Sequence, residues 1–359
     1  MDEFGPEIHD AVKSRIDAIL YGGDDFDECM DNPVKWILKG LRDPDRIFPK
    51  NQANPKRKPL PRVICGASIV DQLVTRCFFQ NFTDSEGEAY PNILVSCKGI
   101  GFSDEHAQMI GRQVEAINKL YKLTAKVSDV SGWEKVFNTD IANCSGQTLR
   151  DTCENLNEVR ASFERAYEWW LKSLCTCPCV TDEGLFIVFD DDSVQRSGNF
   201  LTTSSNSMGR ATLAFMVGSV PRTAGDDCFE WTDKTLEELM KAYEELGLPV
   251  RDVSECGEGE IHFCSHTFYR NASGEWKAFL FSWERMMWEA CHDRKLLVES
   301  DINWMNELKH HPDPEFVKSV ENFLKDRRSL LGAAAEQHVR KRQEKGGCGT
   351  AETTARTER

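Results

Sequence analysis

Residues 222–231 read RTAGDDCFEW. This stretch predicts a strand, a tight turn and a second strand, because glycine readily adopts the positive φ angles that hairpin turns require. Asp226 and Asp227 then lie at the tip of the hairpin. A second Gly-Asp-Asp copy at residues 23–25 has acidic neighbours and no clear flanking strands, so we interpret it as a solvated turn. The tripeptide alone is therefore a weak signal, and the neighbouring segments must show whether it is functional.

Asp129 is the candidate partner of the hairpin carboxylates. Residues 122–129 (KLTAKVSD) alternate in a way that predicts a strand ending at Asp129. Carboxylates at the ends of neighbouring strands can hold Mg²⁺, which prefers oxygen ligands, and two such ions promote phosphoryl transfer. Asp129, Asp226 and Asp227 are therefore the candidate catalytic residues and metal ligands, with Mg²⁺ or Mn²⁺ as cofactor. The alternative is that they only cap turns.

The neighbouring segments form an ordered set. Residues 129–134 read DVSGWE, residues 197–207 read SGNFLTTSSNS, and residues 263–268 read FCSHTF. A basic, proline-rich ribbon at residues 42–62 precedes them. In this order the segments resemble the RNA-dependent RNA polymerases of positive-strand RNA viruses, in particular the sobemovirus- and luteovirus-like group. The resemblance extends over about residues 47–281.

The resemblance implies a right-hand polymerase, and interleaved helices and hairpin strands also favour an α+β fold. The implied domains are fingers (1–122, containing the basic ribbon that admits the NTP), palm (123–144), a fingers insertion (145–193), palm (194–282) and thumb (283–332). The composition of residues 333–359 predicts a disordered tail. Few residues precede the ribbon and the segment after Phe281 is short, so we expect a polyprotein product or a fragment.

The resemblance also assigns cations to the nucleotide triphosphate. Lys50 and Arg62 would neutralise it, since a guanidinium can bind phosphate through two hydrogen bonds. Lys56 and Lys58 are further candidates in the same ribbon. Arg251 is the nearest match to a lysine that the family often uses to protonate pyrophosphate, and an arginine there would act electrostatically. The alternatives are a solvated basic loop and, for Arg251, a surface residue.

Four polar residues are the remaining nucleotide-binding candidates. Ser197 begins a loop whose next residue, a glycine, lets the backbone approach a template base or ribose. Thr202 and Asn206 can form hydrogen bonds with a ribose 2′-hydroxyl, the group that distinguishes RNA from DNA. By resemblance, Asn206 and Glu134 would select the ribonucleotide, although the family usually has Asp where Glu134 stands. The alternatives are a polar loop that caps the next helix and, for Glu134, a surface position.

The composition limits the class of protein. The 359 residues include 44 Lys and Arg against 59 Asp and Glu, giving a net charge of −15. With 20 Phe and 9 Trp the chain can form a core, which excludes disorder throughout. No run approaches the roughly 18 apolar residues of a membrane span. The acidic balance argues against a protein that coats polyanions, but it allows an enzyme that gathers positive charge in one channel.

The 14 cysteines follow no secretory signal, so we expect reduced thiols and a host-cytoplasmic location. Cys175, Cys177 and Cys179 lack the usual spacing of zinc ligands and no second pair is evident, so zinc is the less favoured interpretation. The implied partners are an RNA template, the nascent strand, NTPs and other viral replication proteins, which can bring the chain to membrane-associated replication complexes.

The preferred function is RNA-dependent RNA synthesis by two-metal nucleotidyl transfer, and two other functions remain open. A reverse transcriptase shares the palm and its carboxylates, but it typically has a bulkier residue where Gly225 stands and lacks the motif at residues 197–206. An RNA-binding subunit with a decayed site would retain the fold without activity. Comparing NTP with dNTP incorporation separates the two enzymes, and metal-dependent incorporation separates both from the subunit.

Overall fold

A computed structural model of the chain describes residues 5–50, 62–89, 95–99, 101, 103–153, 156–188, 195–257, 259–292 and 298–346. The chain divides into two compact units, Met1–Ala278 and Phe279–Arg359. The first unit combines helices with mainly antiparallel sheets, and the second begins with the end of a strand and continues as helices. The α+β class predicted from the sequence is therefore confirmed.

The helices of the described residues are α1 (Gly5–Tyr21), α2 (Asp24–Met30), α3 (Pro33–Leu38), α4 (Ile69–Ala89), α5 (Asp104–Tyr121), α6 (Trp133–Val136), α7 (Thr139–Thr152), α8 (Leu156–Cys175), α9 (Thr202–Met216), α10 (Leu236–Glu245), α11 (Trp283–His292), α12 (Val298–Leu308) and α13 (Pro314–Gly346). The strands are β1 (Asp45–Pro49), β2 (Val63–Gly66), β3 (Ala125–Val130), β4 (Cys179–Thr181), β5 (Phe186–Ile187), β6 (Val220–Ala224), β7 (Asp227–Trp231), β8 (Val250–Glu255), β9 (Glu260–Phe263), β10 (His266–Arg270) and β11 (Trp276–Leu280).

A four-stranded sheet with the order β6-β7-β3-β8 positions the candidate site. Each neighbouring pair in it is antiparallel. β6 and β7 form the predicted hairpin, and its turn residue Gly225 has a φ of 68°, which favours glycine. β6 contains Pro221, which is tolerated because this strand lies at the edge of the sheet. The strand β8 was not predicted from the sequence.

Hydrophobic cores cover both faces of this sheet. On one face, Val130 of β3 belongs to the same core as Leu213 of α9 and Leu239 of α10. On the other face, Phe229 and Trp231 of β7 belong to a core that includes residues of α5, β9 and β10. Because side chains alternate along a strand, packing on both faces fixes the register of β7, which begins at one of the candidate carboxylates.

Two acidic or charged segments fold differently from the expectation. The second Gly-Asp-Asp copy is not a solvated turn, because Gly23, with a φ of 55°, leads directly into α2. Helix α13 continues to Gly346 and so enters the predicted disordered tail. Its last residues are mainly Ala, Glu, Gln, Lys and Arg, which are strong helix formers. Residues 51–61, with Lys56 and Lys58, lie outside the described residues.

The second unit has its own small core. Met286 and Ala290 of α11 belong to one cluster with Leu308 of α12 and Leu324 of α13. The buried Asp301 of α12 accepts hydrogen bonds from Arg327 and Arg328 of α13, so an ion pair joins these two helices. Among all helices of the described residues, none has both the length and the apolar character of a membrane span.

Candidate active site

The β3–β7 register brings the predicted catalytic aspartates together. Ser128 of β3 pairs with Cys228 of β7. Asp129 and Asp227 are the next residues beyond this pair on the two strands, so both lie at the same end of the sheet. Asp226 lies in the turn that precedes β7. Asp129 is exposed and the other two aspartates are partly exposed, so a ligand can reach this end of the sheet.

The pKa of Asp227 is raised to about 6. Burial is the largest cause, and the negative charges of Asp226 and Asp129 raise it further. The thiol of Cys264 donates a hydrogen bond to the Asp227 carboxylate, which opposes the rise. The three carboxylates therefore lie close enough to repel one another, and a bound cation would relieve that repulsion.

These carboxylates fit a magnesium ion by the chemistry of their donors. Across the residues that the structure describes, no three His, Cys, Asp or Glu side chains are already arranged to hold a metal ion. Mg²⁺ commonly takes only one or two protein carboxylates and completes its shell with water and substrate phosphates. Asp129, Asp226 and Asp227 supply the hard oxygen donors for such a site, which a nucleotide would complete.

The hairpin of β9 and β10 supports Asp227 from the side. Its turn residues Cys264 and Ser265 have φ angles of 50° and 61°. Two successive residues with positive φ are typical of the tightest hairpin turns. In this turn the Cys264 thiol reaches the Asp227 carboxylate. The turn within residues 263–268 therefore contacts the candidate catalytic centre.

Ser207 of helix α9 forms hydrogen bonds with the Gly-Asp-Asp hairpin. The Ser207 hydroxyl accepts a hydrogen bond of 2.8 Å from the Gly225 N–H. The Ser207 carbonyl accepts another of 2.8 Å from the Thr223 hydroxyl. These contacts hold the first turns of α9, with Thr202 and Asn206, beside the carboxylates.

A buried polar cluster joins the four elements around the carboxylates. Arg210 of α9 donates to the Tyr243 hydroxyl of α10 at 2.9 Å and to the Ser128 hydroxyl of β3 at 2.5 Å. Ser128 and Tyr243 donate in turn to Glu230 of β7, at 2.7 and 2.8 Å. Burial raises the pKa of Tyr243 well above its ordinary value, so its hydroxyl keeps the proton that it donates. Since Ser128 precedes Asp129, this cluster fixes the strand end that carries the site.

The loop that precedes α9 is anchored to the ribbon strands β1 and β2. The Gly198 N–H donates to the Cys65 carbonyl at 2.9 Å, and Gly198 pairs with Gly66 in a parallel bridge. The neighbouring Arg196 is buried, with its Nε 3.8 Å from Asp45 Oδ2 in β1. The loop and the basic ribbon therefore form one connected structure.

The four predicted ribose and template residues occupy different environments. Ser197 is exposed, as is Glu134 on α6. The Thr202 hydroxyl donates to the Asn199 carbonyl at 2.7 Å within its own loop, and Thr202 is partly exposed. Asn206 is 9% exposed. Contact of Ser197, Thr202, Asn206 and Glu134 with a template or nucleotide stays a prediction.

Only some of the cations in the basic ribbon are available to a substrate, because others form ion pairs within the chain. The Lys50 N–H donates to the Arg62 carbonyl at 2.7 Å, which places these two predicted triphosphate ligands side by side. Arg62 is exposed and Lys50 is partly exposed. Arg42, in contrast, is fully buried and pairs with Asp45 at 2.8 Å. Arg46 pairs at 2.8 Å with an aspartate of the β4–β5 turn. The sequence alone cannot reveal these internal pairings.

Residues 137–280 match the family model described as viral RNA-directed RNA-polymerase. This segment is therefore similar to the viral RNA-directed RNA polymerases. The matched polymerase segment contains the loop at residues 197–206 and the Gly-Asp-Asp hairpin, whereas Asp129 and Glu134 precede it.

Curated viral proteins resemble a larger part of the chain. Protein P1-P2 of Pea enation mosaic virus-1 is 30% identical over 281 residues, which cover 73% of this chain and 22% of that protein. Replicase polyprotein P2AB of Southern cowpea mosaic virus is 28% identical over 302 residues, which cover 80% of this chain and 30% of that protein. The resemblance to the luteovirus and sobemovirus group is confirmed. The chain spans less than a third of the length of these relatives.

Solved polymerase structures share the fold. The Sicinivirus 3Dpol RNA-dependent RNA polymerase has a TM-score of 0.61 at 12% identity, covering 86% of this chain and 66% of that one. The RNA-dependent RNA polymerase of a human picorbirnavirus has a TM-score of 0.59 at 14% identity, covering 81% of this chain and 57% of that one. The right-hand polymerase fold is therefore confirmed.

Several residues of the candidate site were not identified from the sequence. Arg210 had a local signal, because it is an arginine in a largely apolar stretch of α9. Gln195 and Glu230 had none, since their partners lie elsewhere along the chain. The strand β8 was missed too, and it places the backbone of Arg251 opposite Asp129. The predicted electrostatic role of Arg251 stays a prediction.

Gly198→Ala is expected to disturb the loop at residues 197–206. A Cβ at this position would lie 2.4 Å from the Cys65 carbonyl oxygen and 2.8 Å from Gly66 Cα, and both are backbone atoms that cannot rotate away. Overpacking of this kind costs about 1–3 kcal/mol in the free energy of unfolding. We expect that loss in urea unfolding, together with reduced nucleotide incorporation because Ser197 shifts.

Gly87→Ala in α4 is the matched control. A Cβ there meets no atom within 4 Å, and alanine is the better helix former. The free energy of unfolding should rise or stay unchanged. Equal behaviour of the two variants would contradict the anchoring of the loop by β2.

Proposed function

We propose that this chain catalyses the RNA-templated addition of ribonucleotides to an RNA 3′-hydroxyl. The observation that carries the proposal is the meeting of Asp129, Asp226 and Asp227 at one end of β3 and β7. The family match supports it, as does the word replicase in the name of the Southern cowpea mosaic virus relative. In the reaction, the 3′-oxygen bonds to the α-phosphorus of the NTP, and the α–β phosphoanhydride bond breaks to release pyrophosphate.

Asp129 and Asp226 would hold Mg²⁺, or Mn²⁺ in its place, with Asp227 assisting. When bound, such ions activate the attacking hydroxyl and stabilise the leaving pyrophosphate. The chain itself holds the catalytic carboxylates in position. Asp227 is held by the Cys264 thiol, and the hairpin turn is held through Gly225 by α9. Preorganised groups need no rearrangement during the reaction, which is the main source of electrostatic catalysis.

The nucleotide would be bound at its two polar ends. Lys50 and Arg62, adjacent across the ribbon, would neutralise the triphosphate. Asn206 and Glu134 would form hydrogen bonds with the ribose 2′-hydroxyl. A site built to bind a hydroxyl leaves polar groups unpaired when a deoxyribose occupies it, so it rejects dNTPs. The partners are then an RNA template, the nascent RNA and NTPs, with other replication proteins and the host cytoplasm as the proposed setting.

The test is a primer-extension assay with the purified chain on a primed homopolymeric RNA template. With Mg²⁺ we expect incorporation of the complementary labelled NTP and its loss on addition of EDTA. The matching dNTP should be incorporated at least about 100-fold less efficiently than the NTP. Preferential use of the dNTP would instead identify a reverse transcriptase. RNA binding without incorporation in either Mg²⁺ or Mn²⁺ would identify an RNA-binding subunit and contradict the proposal.

A further inference from the structure

Gln195 lies between the two predicted ribose-selecting residues. It is 4% exposed and precedes the loop that begins with Arg196 and Ser197. Its backbone N–H donates to the Glu134 carbonyl at 2.9 Å. Its side-chain Nε2 donates to Asn206 Oδ1. One buried residue therefore contacts both α6 and α9 at the positions where ribose selection is proposed.

The side-chain contact determines what Asn206 can offer a nucleotide. An asparagine amide carries an acceptor oxygen and a donor nitrogen on opposite sides, and rotation by half a turn exchanges them. Because Oδ1 accepts from Gln195, Nδ2 is the group that can donate elsewhere. A donor at that position can bind the 2′-oxygen of a ribose, and a deoxyribose gives it no partner. A buried hydrogen bond holds such an orientation more firmly than an exposed one.

Gln195 is itself held in place. The adjacent Arg196 N–H donates to the Leu174 carbonyl at 3.3 Å, and Arg196 Nη2 donates to the Cys177 carbonyl at 2.8 Å. These contacts fix the backbone on the C-terminal side of Gln195, while its own N–H is fixed by Glu134. The Gln195 side chain is therefore a fixed hydrogen-bond donor to Asn206.

We propose that Gln195 is a positioning residue for sugar selection, which orients the Asn206 amide so that Nδ2 faces the 2′-hydroxyl of the incoming ribonucleotide. The inference rests on the proposed function. It differs from the resemblance to known polymerases, which points to Asn206 and Glu134 and assigns nothing to Gln195.

The test compares kcat/KM for an NTP and its 2′-dNTP on a primed RNA template, using the full chain. Gln195→Met keeps the buried volume but removes the donor. We expect the NTP/dNTP ratio to fall about tenfold, the effect of one hydrogen bond, through a higher KM for the NTP with the dNTP unchanged. Gln195→Glu offers only acceptors, so Asn206 should turn Nδ2 toward it, and the ratio should fall at least as far.

Gln147→Met is the matched control. Gln147 is exposed on α7 and donates to Asp151 at 2.8 Å, so its loss should leave the ratio unchanged. In an Asn206→Ala background, Gln195→Met should have no further effect on the ratio, because a positioning residue acts only through its partner. Equal losses for NTP and dNTP, or additive effects of the two substitutions, would show a merely structural role and overturn the inference.

A binding measurement separates this inference from the proposed function. The dissociation constants of a non-hydrolysable NTP and its 2′-deoxy analogue can be measured with the RNA-bound chain, whether or not it is active. A wild-type chain without incorporation defeats the proposed function. If the wild-type chain binds the ribonucleotide more tightly and Gln195→Met keeps that preference, the inference is wrong. The inference is also wrong if the wild-type chain shows no preference. Melting temperatures of each variant identify any loss of folding.

Discussion

Asp226→Asn should lower template-directed NTP incorporation by about 10³-fold or more while RNA binding stays near the wild-type level. Asparagine keeps the size of the side chain and removes the charge. Metal ions and fixed charges at the reacting centre account for most of the rate enhancement in phosphoryl transfer, so the loss falls on the chemical step. The measurements are single-nucleotide extension on a primed RNA template and fluorescence anisotropy with the same RNA.

The chain provides a matched control in its second Gly-Asp-Asp copy. Asp25→Asn makes the same chemical change in α2, where residues 23–25 begin a helix and do not form a hairpin. Its incorporation rate should equal that of the wild type. If Asp226→Asn retains more than a tenth of the activity, or if Asp25→Asn is equally impaired, the hairpin carboxylates are not the catalytic groups.

Arg210→Met should lower the free energy of unfolding by about 3–5 kcal/mol, because it leaves Glu230 buried without its cation. Both side chains are fully buried, 3.6 Å apart at their nearest charged atoms. The double variant Arg210→Met with Glu230→Gln removes both charges and should recover much of the loss. Urea unfolding of the two variants and the wild type measures these differences.

Arg46→Met is the control for this prediction. Arg46 also forms an ion pair, with Asp182 at 2.8 Å, but both partners are largely exposed. Exposed pairs contribute at most about 1 kcal/mol, so the unfolding curve should shift little. A loss as large as that of Arg210→Met, or additive losses in the double variant, would contradict the description of the Arg210 cluster as a coupled buried network.

Local sequence patterns predicted the elements that carry the site. The hairpin at residues 222–231 depends on turn chemistry and on spacing within a few residues, as does the start of α10 at Thr235. The capping box of Thr235 and Glu238 is an example, since both partners lie within one turn. Elements of this kind can be read from sequence, because the interactions that form them are themselves local.

The missed features depend on contacts between distant parts of the chain. Arg210 and Ser128 are separated by 82 residues, and no local pattern links them. Arg42 adds to the positive charge of the ribbon in the sequence, but tertiary packing buries it against Asp45 and Asp71. The sequence identified which carboxylates to consider, and only the register of β3 with β7 brings Asp129 and Asp227 to the same end of the sheet.

Iron-mediated cleavage of the polypeptide tests the convergence of the three aspartates most directly. Fe²⁺ can replace Mg²⁺ at oxygen-rich sites, and with ascorbate and peroxide it generates radicals that cut the backbone nearby. With RNA and NTP present, we expect two cuts, one near Asp129 and one near Asp226, and both should be suppressed by excess Mg²⁺ and absent in Asp226→Asn. A cut at only one of these positions, or cleavage unaffected by Asp226→Asn, would contradict a shared metal site at the end of β3 and β7.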